Sequence, residues 1–463
     1  LPTLQAPLKV ALLSYRSLPT SGGQGVYVRN LSRELVALGH QVEVFSGPPY
    51  PELDDGVGLT KLPSLRLYDE PKPFRWPRPG EFRDAVDVAE FTLMRTGQFA
   101  EPLTFTLRAA RELGRSRRRW GPGPGPGRGP RRGPRRGRGP GLGLGRGFDI
   151  VHDNQSLGYG LLALRRSLAG SGVPVVATVH HPISVDLRME LAAATTPTQR
   201  FGLRRFYSFI EMQGRVARRL DGVLTVSQVS ADQIVTEMGV PRPALRTIPL
   251  GADLDVFSPD PAQPRVPGRI VVVTSADVPL KGLGVLLEAL AKIRVERPAQ
   301  LVCVGRARPG GAAHTRIDAL GLGDAVEFRS GLSRDELVAL LRSSEVAVVP
   351  SLFEGFCLPA VEEMACGLPL VATRAGALPE VVGPDGEAAM LVPPGDAEAL
   401  AGALGRLLAD PALRTRLGTA GRARVEAGLS WRATARATAD WYRERIAAAG
   451  AKRDAGGKTS PAC

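Results

Sequence analysis

Cysteine is scarce in this chain: four in 463 residues, Cys303, Cys357, Cys366 and Cys463. They are too few and too scattered for a disulfide scaffold, and their spacing matches no metal-ligand pattern. Five histidines exclude a histidine-rich metal site, though not a site with one or two ligands. No window reaches about 18 uninterrupted apolar residues, so no membrane-spanning helix is expected. Leu1–Leu13 holds one lysine and no extended apolar stretch before a cleavage site. No secretory signal is therefore expected, and the location reads as cytoplasmic.

What is present is 43% hydrophobic and 23% charged residues, the profile of a globular protein, with length for two or three domains. The formal net charge is +14. It is concentrated: residues 111–147 hold twelve arginines and one acid, Glu112, which leaves only +3 for the rest of the chain. Within that stretch, 121–147 consists of twelve glycines, six prolines, seven arginines and two leucines. With no periodicity and almost nothing to bury, it reads as a disordered insert. It lacks the interleaved aromatics that stack on bases, so no specific nucleic-acid partner is inferred from it.

Elsewhere the pattern alternates strands and helices. Leu8–Leu13 reads as a buried strand, followed by a turn-rich stretch, a helix from Gly25 to Leu38 and a strand at Gln41–Phe45, a βαβ unit of a parallel sheet. Further strands are expected at Phe148–His152, Val175–His180 and Gly222–Ser227, and one helix over 201–220 with a basic face. The Pro-rich stretch within Asp253–Arg269 reads as a domain boundary. A second run of alternating strands and helices follows it. The expected division is an N-terminal domain over 1–262 carrying the insert 120–147, a C-terminal domain over 263–428, a helix over 429–448, and a flexible tail over 449–463.

Five loops carry candidate chemistry. Ser21-Gly22-Gly23-Gln24-Gly25 opens a helix after the first strand, where backbone N–H groups and the helix N-terminus favour an anion. It is neither GxGxxG nor a Walker A loop. His180 and His181 end a strand where open α/β sheets place their ligands, and His180 is preferred as the inward-facing one. His152 and Asp153 hold a similar position and are weaker candidates. Lys281, in a loop before a helix, can neutralise a diphosphate, although such a lysine can equally be solvated surface. Glu354 and Glu362 stand eight residues apart, one in a glycine-containing loop and one in the helix after it, able to hold different hydroxyls of one ligand. Arg374–Glu380 adds a further loop with ligand-facing backbone.

Together these pieces resemble the family 4 retaining glycosyltransferases of the GT-B fold, over Lys9 to about Tyr442 except 112–147. The most specific element is Glu354-x7-Glu362, within a match that includes Gly355, Pro359, Met364, Ala365, Gly367 and Pro369. Gly22-Gly23, His180, Gly251–Phe257, Lys281-Gly282 and Pro379-Glu380 follow in the expected order. The likeness is closer to the actinobacterial-type members than to the glycogen-synthase type. It implies two Rossmann-like parallel-sheet domains facing a central cleft, with a C-terminal helix crossing back. The implied activity is retaining, metal-independent transfer of a hexose from a nucleoside-diphosphate sugar, UDP by family frequency with GDP or ADP open.

By the same resemblance, Glu362 binds the ribose hydroxyls, Glu354 contacts the donor sugar and Lys281 meets the diphosphate. Gly22 and Gly23 lie near the phosphates or the transferred sugar, and His180 contacts a donor-sugar hydroxyl. No cofactor is implied. The acceptor is open: a lipid, a small metabolite or a glycan. So is oligomeric state. The basic stripe Arg204, Arg205, Arg215, Arg218 and Arg219 suits either contact with an anionic bilayer at the inner face of the membrane or a solvated helix face. Two departures stand out. Ala276 occupies the position, five before Lys281, where the family commonly carries an arginine for the leaving diphosphate; Arg306 is a conceivable substitute. Cys357 stands where glycine is more usual, with an expected effect on packing alone. The alternatives are another GT-B-like enzyme, such as an epimerase or phosphorylase, or a catalytically degenerate binder of sugar nucleotides or polyanions.

Overall fold

The structure, a computed structural model, describes residues 6–17, 23–69, 72–119 and 147–457. Gly22 and the insert up to 146 lie outside the described residues. The chain divides into two compact units. One comprises Leu1–Leu224, Ile234–Arg246 and Thr438–Cys463; the other comprises Thr225–Gln233 and Thr247–Ala437.

The first sheet is built from β1 (Lys9–Ser14), β2 (Gln41–Ser46), β3 (Gly58–Lys61), β4 (Ile150–Asn154), β5 (Val175–Thr178), β6 (Val223–Thr225) and β7 (Leu245–Thr247). Its strand order is β3-β2-β1-β4-β5-β6-β7, parallel from β3 through β6. Helices α1 (Gly23–Ala37), α2 (Ala85–Arg95), α3 (Glu101–Arg119), α4 (Gly160–Leu168), α5 (Ser184–Ala193), α6 (Pro197–Phe206), α7 (Phe209–Ala217) and α8 (Gln228–Met238) lie between these strands in the chain.

The second sheet takes β8 (Arg269–Val273), β9 (Gln300–Val304), β10 (Val326–Arg329), β11 (Val346–Val349), β12 (Leu370–Thr373) and β13 (Ala389–Val392), all parallel, in the order β10-β9-β8-β11-β12-β13. Its helices are α9 (Leu283–Glu296), α10 (Ala312–Ala319), α11 (Arg334–Arg342), α12 (Leu358–Ala365), α13 (Leu378–Val382), α14 (Ala397–Ala409) and α15 (Pro411–Gly428), and α16 (Trp431–Gly457) ends the described chain.

Central strands of a parallel sheet are covered on both faces, so they read as unbroken apolar runs. β5, β11 and β12 are buried at every position, which is why Val-Val-Ala-Thr and Val-Ala-Val-Val show no polar alternation. Each fully buried Leu, Ile or Val in these cores contributes about 1.5–3 kcal/mol of transfer free energy. Both sheets reverse direction of growth once, between β1 and β4 and between β8 and β11. Loops leaving the carboxyl ends of those strands line the crevice where open α/β sheets bind ligands.

Three expectations need correction. The helix expected over 201–220 is two helices, α6 and α7. The Phe206 carbonyl accepts from Phe99 N–H at 3.4 Å, and Phe206 and Phe209 pack on the Phe99 ring, so a long-range aromatic contact breaks the helical ladder. The basic stripe is therefore divided. Arg205 bonds the Thr96 carbonyl, Arg215 pairs with Glu211, and Arg218 bonds the Met238 carbonyl. Finally, α16 continues to Gly457, beyond the expected end at 448, so the first part of the supposed tail is helical. Its Trp431, Trp441 and Tyr442 are buried, as packing residues are. Among the described residues, no helix is long and apolar enough to cross a membrane.

Candidate active site

In the second unit, the loops after β8 and β11 meet at the switch point. Pro279–Lys281 forms a single tight turn, and Gly282 then takes φ +68° to open α9. A side chain on Gly282 would stand 2.0 Å from the Pro350 carbonyl oxygen, so the glycine is what lets the two loops touch. Leu352 N–H donates to the Leu280 carbonyl at 2.7 Å across this contact. Lys281 Nζ thereby reaches Glu354 Oε1 at 2.8 Å, and Ser351 Oγ donates to the same oxygen at 2.7 Å. The loop after β12 holds Glu354 from behind: Gly376 (φ +56°) packs against its backbone, and Ala377 N–H donates to its carbonyl at 2.9 Å.

Glu380, in α13 just after that loop, accepts from Gln228 N–H at 2.8 Å and Val229 N–H at 2.9 Å, capping the first turn of α8 within the Thr225–Gln233 segment of this unit. The last residue of the stretch Arg374–Glu380 thus uses its carboxylate on a helix terminus.

Cys357 sits at φ +87°, in the left-handed region. Its replacement of the more usual glycine therefore strains the backbone, by about 1–3 kcal/mol, rather than changing packing alone. Ala276 is buried, and Arg306 is exposed.

Glu362 is the fifth residue of α12 and is half-buried. Desolvation pushes its carboxyl pKa up to about 7, against the opposing pull of Arg334. Its neighbour Glu363 is fully buried, and neither carboxyl oxygen has a hydrogen-bond partner. Burial, reinforced by Glu362, pushes the Glu363 pKa well above the usual carboxylate range, so this side chain is neutral in the folded protein. An acid whose pKa rises on folding supports the fold fully below its unfolded pKa, and that support is lost as pH rises toward the folded value. Each unit of mismatch costs about 1.4 kcal/mol. Glu363→Gln is therefore expected to raise the thermal midpoint at pH 8, with the gain shrinking toward pH 5; a midpoint difference independent of pH would contradict a neutral Glu363.

In the first unit, the end of β5 delivers His180 beside the end of β4. His180 Nε2 lies 2.8 Å from Asn154 Oδ1, and the ring packs edge-on to Tyr27, centroids 4.9 Å apart. Desolvation, with a smaller contribution from His181, lowers the His180 pKa to about 3. His181 turns away to Asp186 at 3.2 Å. Gln155 clamps the loop by accepting from His180 N–H at 2.6 Å and donating to the His181 carbonyl at 2.8 Å. Gly23 is the first residue of α1, and the carbonyl of the next residue, Gln24, accepts from Asn154 Nδ2 at 3.3 Å. Asn154 thus ties the glycine loop to the histidine.

His152 and Asp153 are fully buried. His152 bonds Tyr442 Oη and Thr178 Oγ1, and burial lowers its pKa to about 3. Asp153 accepts from Ser156 Oγ and Leu157 N–H, with a pKa raised to about 6 by burial. Both serve an internal polar network rather than a ligand. The residues that sequence reasoning missed are Tyr27, Asn154 and Gln155. A run of five polar residues, His152–Ser156, at the end of an apolar strand was the available signal for two of them.

The structure therefore pairs Lys281 with Glu354, puts Glu362 on the helix that follows, and links Gln24, the residue after Gly23, to His180 through Asn154. These are loops at the carboxyl ends of parallel strands, with cationic, carboxylate and imidazole groups partly open to ligand.

Comparison with known proteins agrees with this architecture. Residues 22–251 match the glycosyl transferase 4-like domain, and residues 260–424 match glycosyl transferases group 1. The chain is 50% identical over 441 residues to an MMP α-(1→4)-mannosyltransferase of Mycolicibacterium hassiacum, covering 95% of this chain and 99% of that protein. It is 29% identical to a D-inositol 3-phosphate glycosyltransferase of Saccharomonospora viridis, covering 96% and 95%. Among solved structures, it shares the fold of sucrose-phosphate synthase from Thermosynechococcus elongatus, with a TM-score of 0.66 at 24% identity over 95% of this chain and 100% of that one. The doubly wound sheets are those of GT-B glycosyltransferases, and the chain belongs to the family 4 glycosyltransferases.

Proposed function

We propose that this glycosyltransferase moves a mannosyl residue, with retention of α configuration, from a nucleoside-diphosphate sugar to a hydroxyl of an acceptor. The observation that carries the choice of sugar is the 50% identity, over nearly the full length of both chains, to an α-(1→4)-mannosyltransferase. Mannose is activated as an α-linked diphosphate, so an α product means retention.

Bond cleavage leaves negative charge on the nucleoside diphosphate and oxocarbenium character on the anomeric carbon. Lys281 meets the diphosphate and takes up the leaving charge, helped by amides at the start of α1. Glu354 receives hydroxyls of the donor sugar, Glu362 receives the ribose hydroxyls, and His180 contacts the sugar as a neutral ring. The leaving diphosphate accepts the acceptor's proton on the face it departs from. No step requires a metal ion. UDP is the base carried over from the family, with GDP and ADP open, and an acceptor sugar hydroxyl is favoured over a lipid or small metabolite by the relative's linkage.

Purified protein should turn over one mannosyl nucleotide in a mass-spectrometric screen of UDP-, GDP- and ADP-hexoses, and the product's anomeric one-bond C–H coupling should be that of an α-linkage. A β-linked product, or turnover only of non-mannosyl donors, would sink this reading. Nucleotide binding without turnover of any donor would favour the degenerate binder, the reading to which Ala276 lends support.

A further inference from the structure

The Asn154 side chain is fully buried between three elements. Its Nδ2 donates to Ser14 Oγ at 3.2 Å, at the end of β1, and to the Gln24 carbonyl at 3.3 Å, in the first turn of α1. A backbone carbonyl can only accept, so the NH2 of the amide must face it. The amide is thereby fixed, and the atom facing His180 is the oxygen Oδ1, 2.8 Å from Nε2. An amide oxygen also only accepts, so Nε2 must carry a proton.

The ring plane is set independently. Tyr27 packs edge-on to His180, and its hydroxyl is held at 2.9 Å by Thr178 Oγ1, which is 2.7 Å from His152 Nε2; His152 Nδ1 in turn meets Tyr442 Oη on α16. The backbone behind the ring is held by Gln155. The titratable groups facing His180 include Tyr27 from α1, His152 from β4 and His181 beside it. Asp153 points to Ser156 and Leu157 instead.

We propose that Asn154 is a positioning residue for transfer: it fixes His180 as the Nε2–H tautomer and holds the imidazole, still neutral, in the orientation that meets the donor sugar. The inference rests on the assignment of His180 to the donor sugar given above. A neutral amide serves here where a carboxylate would fail, because a carboxylate in the same place would draw a second proton onto the ring. The resulting imidazolium would place a positive charge beside the developing oxocarbenium ion.

The test uses full-length protein labelled with 15N in its imidazoles, with His180→Gln to assign the signal. Wild-type His180 should show protonated Nε2 and unprotonated Nδ1 across pH 5–8. Asn154→Asp keeps the acceptor but adds charge, so the ring pKa should rise by at least about one unit. The acid limb of kcat at saturating donor, where the Glu362 ionisation that governs donor KM no longer enters, should move up with it, with most of kcat recovered at high pH. Asn154→Leu removes the acceptor and should lower kcat by up to about 100-fold at every pH without moving that limb. A merely structural Asn154 would lower thermal midpoints in both variants and move neither the limb nor the tautomer. A wild-type Nδ1–H tautomer, or an Asn154→Asp ring that titrates as wild type, overturns the proposal alone. Wild-type turnover in His180→Ala would instead overturn the assignment of His180, and with it the role of Asn154 in transfer.

Discussion

Replacing Lys281 with methionine is expected to lower kcat by at least about 100-fold and to raise the donor KM, because one preorganised cation facing a developing anion accounts for about 2.7–4 kcal/mol of barrier. Glu354→Gln should behave differently at the same ion pair. Glu354 Oε1 lies 2.8 Å from Lys281 Nζ, so the carboxylate competes with a diphosphate for the ammonium. Removing its charge should tighten binding of the free nucleoside diphosphate while kcat falls, since the sugar loses its carboxylate partner. Steady-state kinetics with titration calorimetry of the nucleoside diphosphate separate the two effects. Shifts of both variants in the same direction on diphosphate affinity would refute the arrangement. Fold stability should change little, because the Lys281 side chain is 34% exposed and such pairs contribute about 1 kcal/mol or less.

The second large effect is a pH dependence of donor binding centred on Glu362. Its carboxyl pKa stands at about 7 through desolvation. Ribose hydroxyls donate hydrogen bonds, and an ionised carboxylate accepts them far better than a protonated one. Donor binding must therefore pull the pKa down and release a proton. The donor KM should rise as pH falls below 7, approaching tenfold per unit, and level off above 8. Calorimetry in buffers of different ionisation enthalpy should register the released proton near neutral pH. Glu362→Gln should raise KM by about 10-fold to 100-fold and flatten the profile. A KM that is flat between pH 6 and 8 in the unaltered protein would remove Glu362 from the ribose site.

Much of this site was legible along the chain because its parts are local. The apolar runs at β8, β11 and β12 identify buried parallel strands without reference to anything distant. Glu354 and Glu362 follow β11 on one continuous loop and helix, so their spacing survives in sequence. The Lys281-Gly282 pair was equally visible, although the reason for its glycine was not: only the packed structure brings the Pro350 carbonyl within 2.0 Å of where a side chain would stand. The break between α6 and α7 was hidden for the same reason, since Phe99 lies more than a hundred residues away in sequence. The Leu62–Arg95 excursion, with its prolines and paired charges, offered no period to read, and α2 within it was missed.

The sequence by itself determined the doubly wound fold, the order of its loops and the carboxylate spacing of the second unit, because hydrophobic period and local turn chemistry act over a few residues. Tertiary structure alone decided which ionisable groups remain charged. Glu362 and Glu363 are identical neighbours in sequence, yet one is half-exposed with a pKa near 7 and the other is buried, neutral and unpartnered. His152 lies within β4 and His180 just beyond β5, on neighbouring strands, yet one braces α16 through Tyr442 while the other meets Asn154. A side chain's charge depends on the water it loses and the dipoles that replace it, and those come from elements that sequence proximity does not reveal.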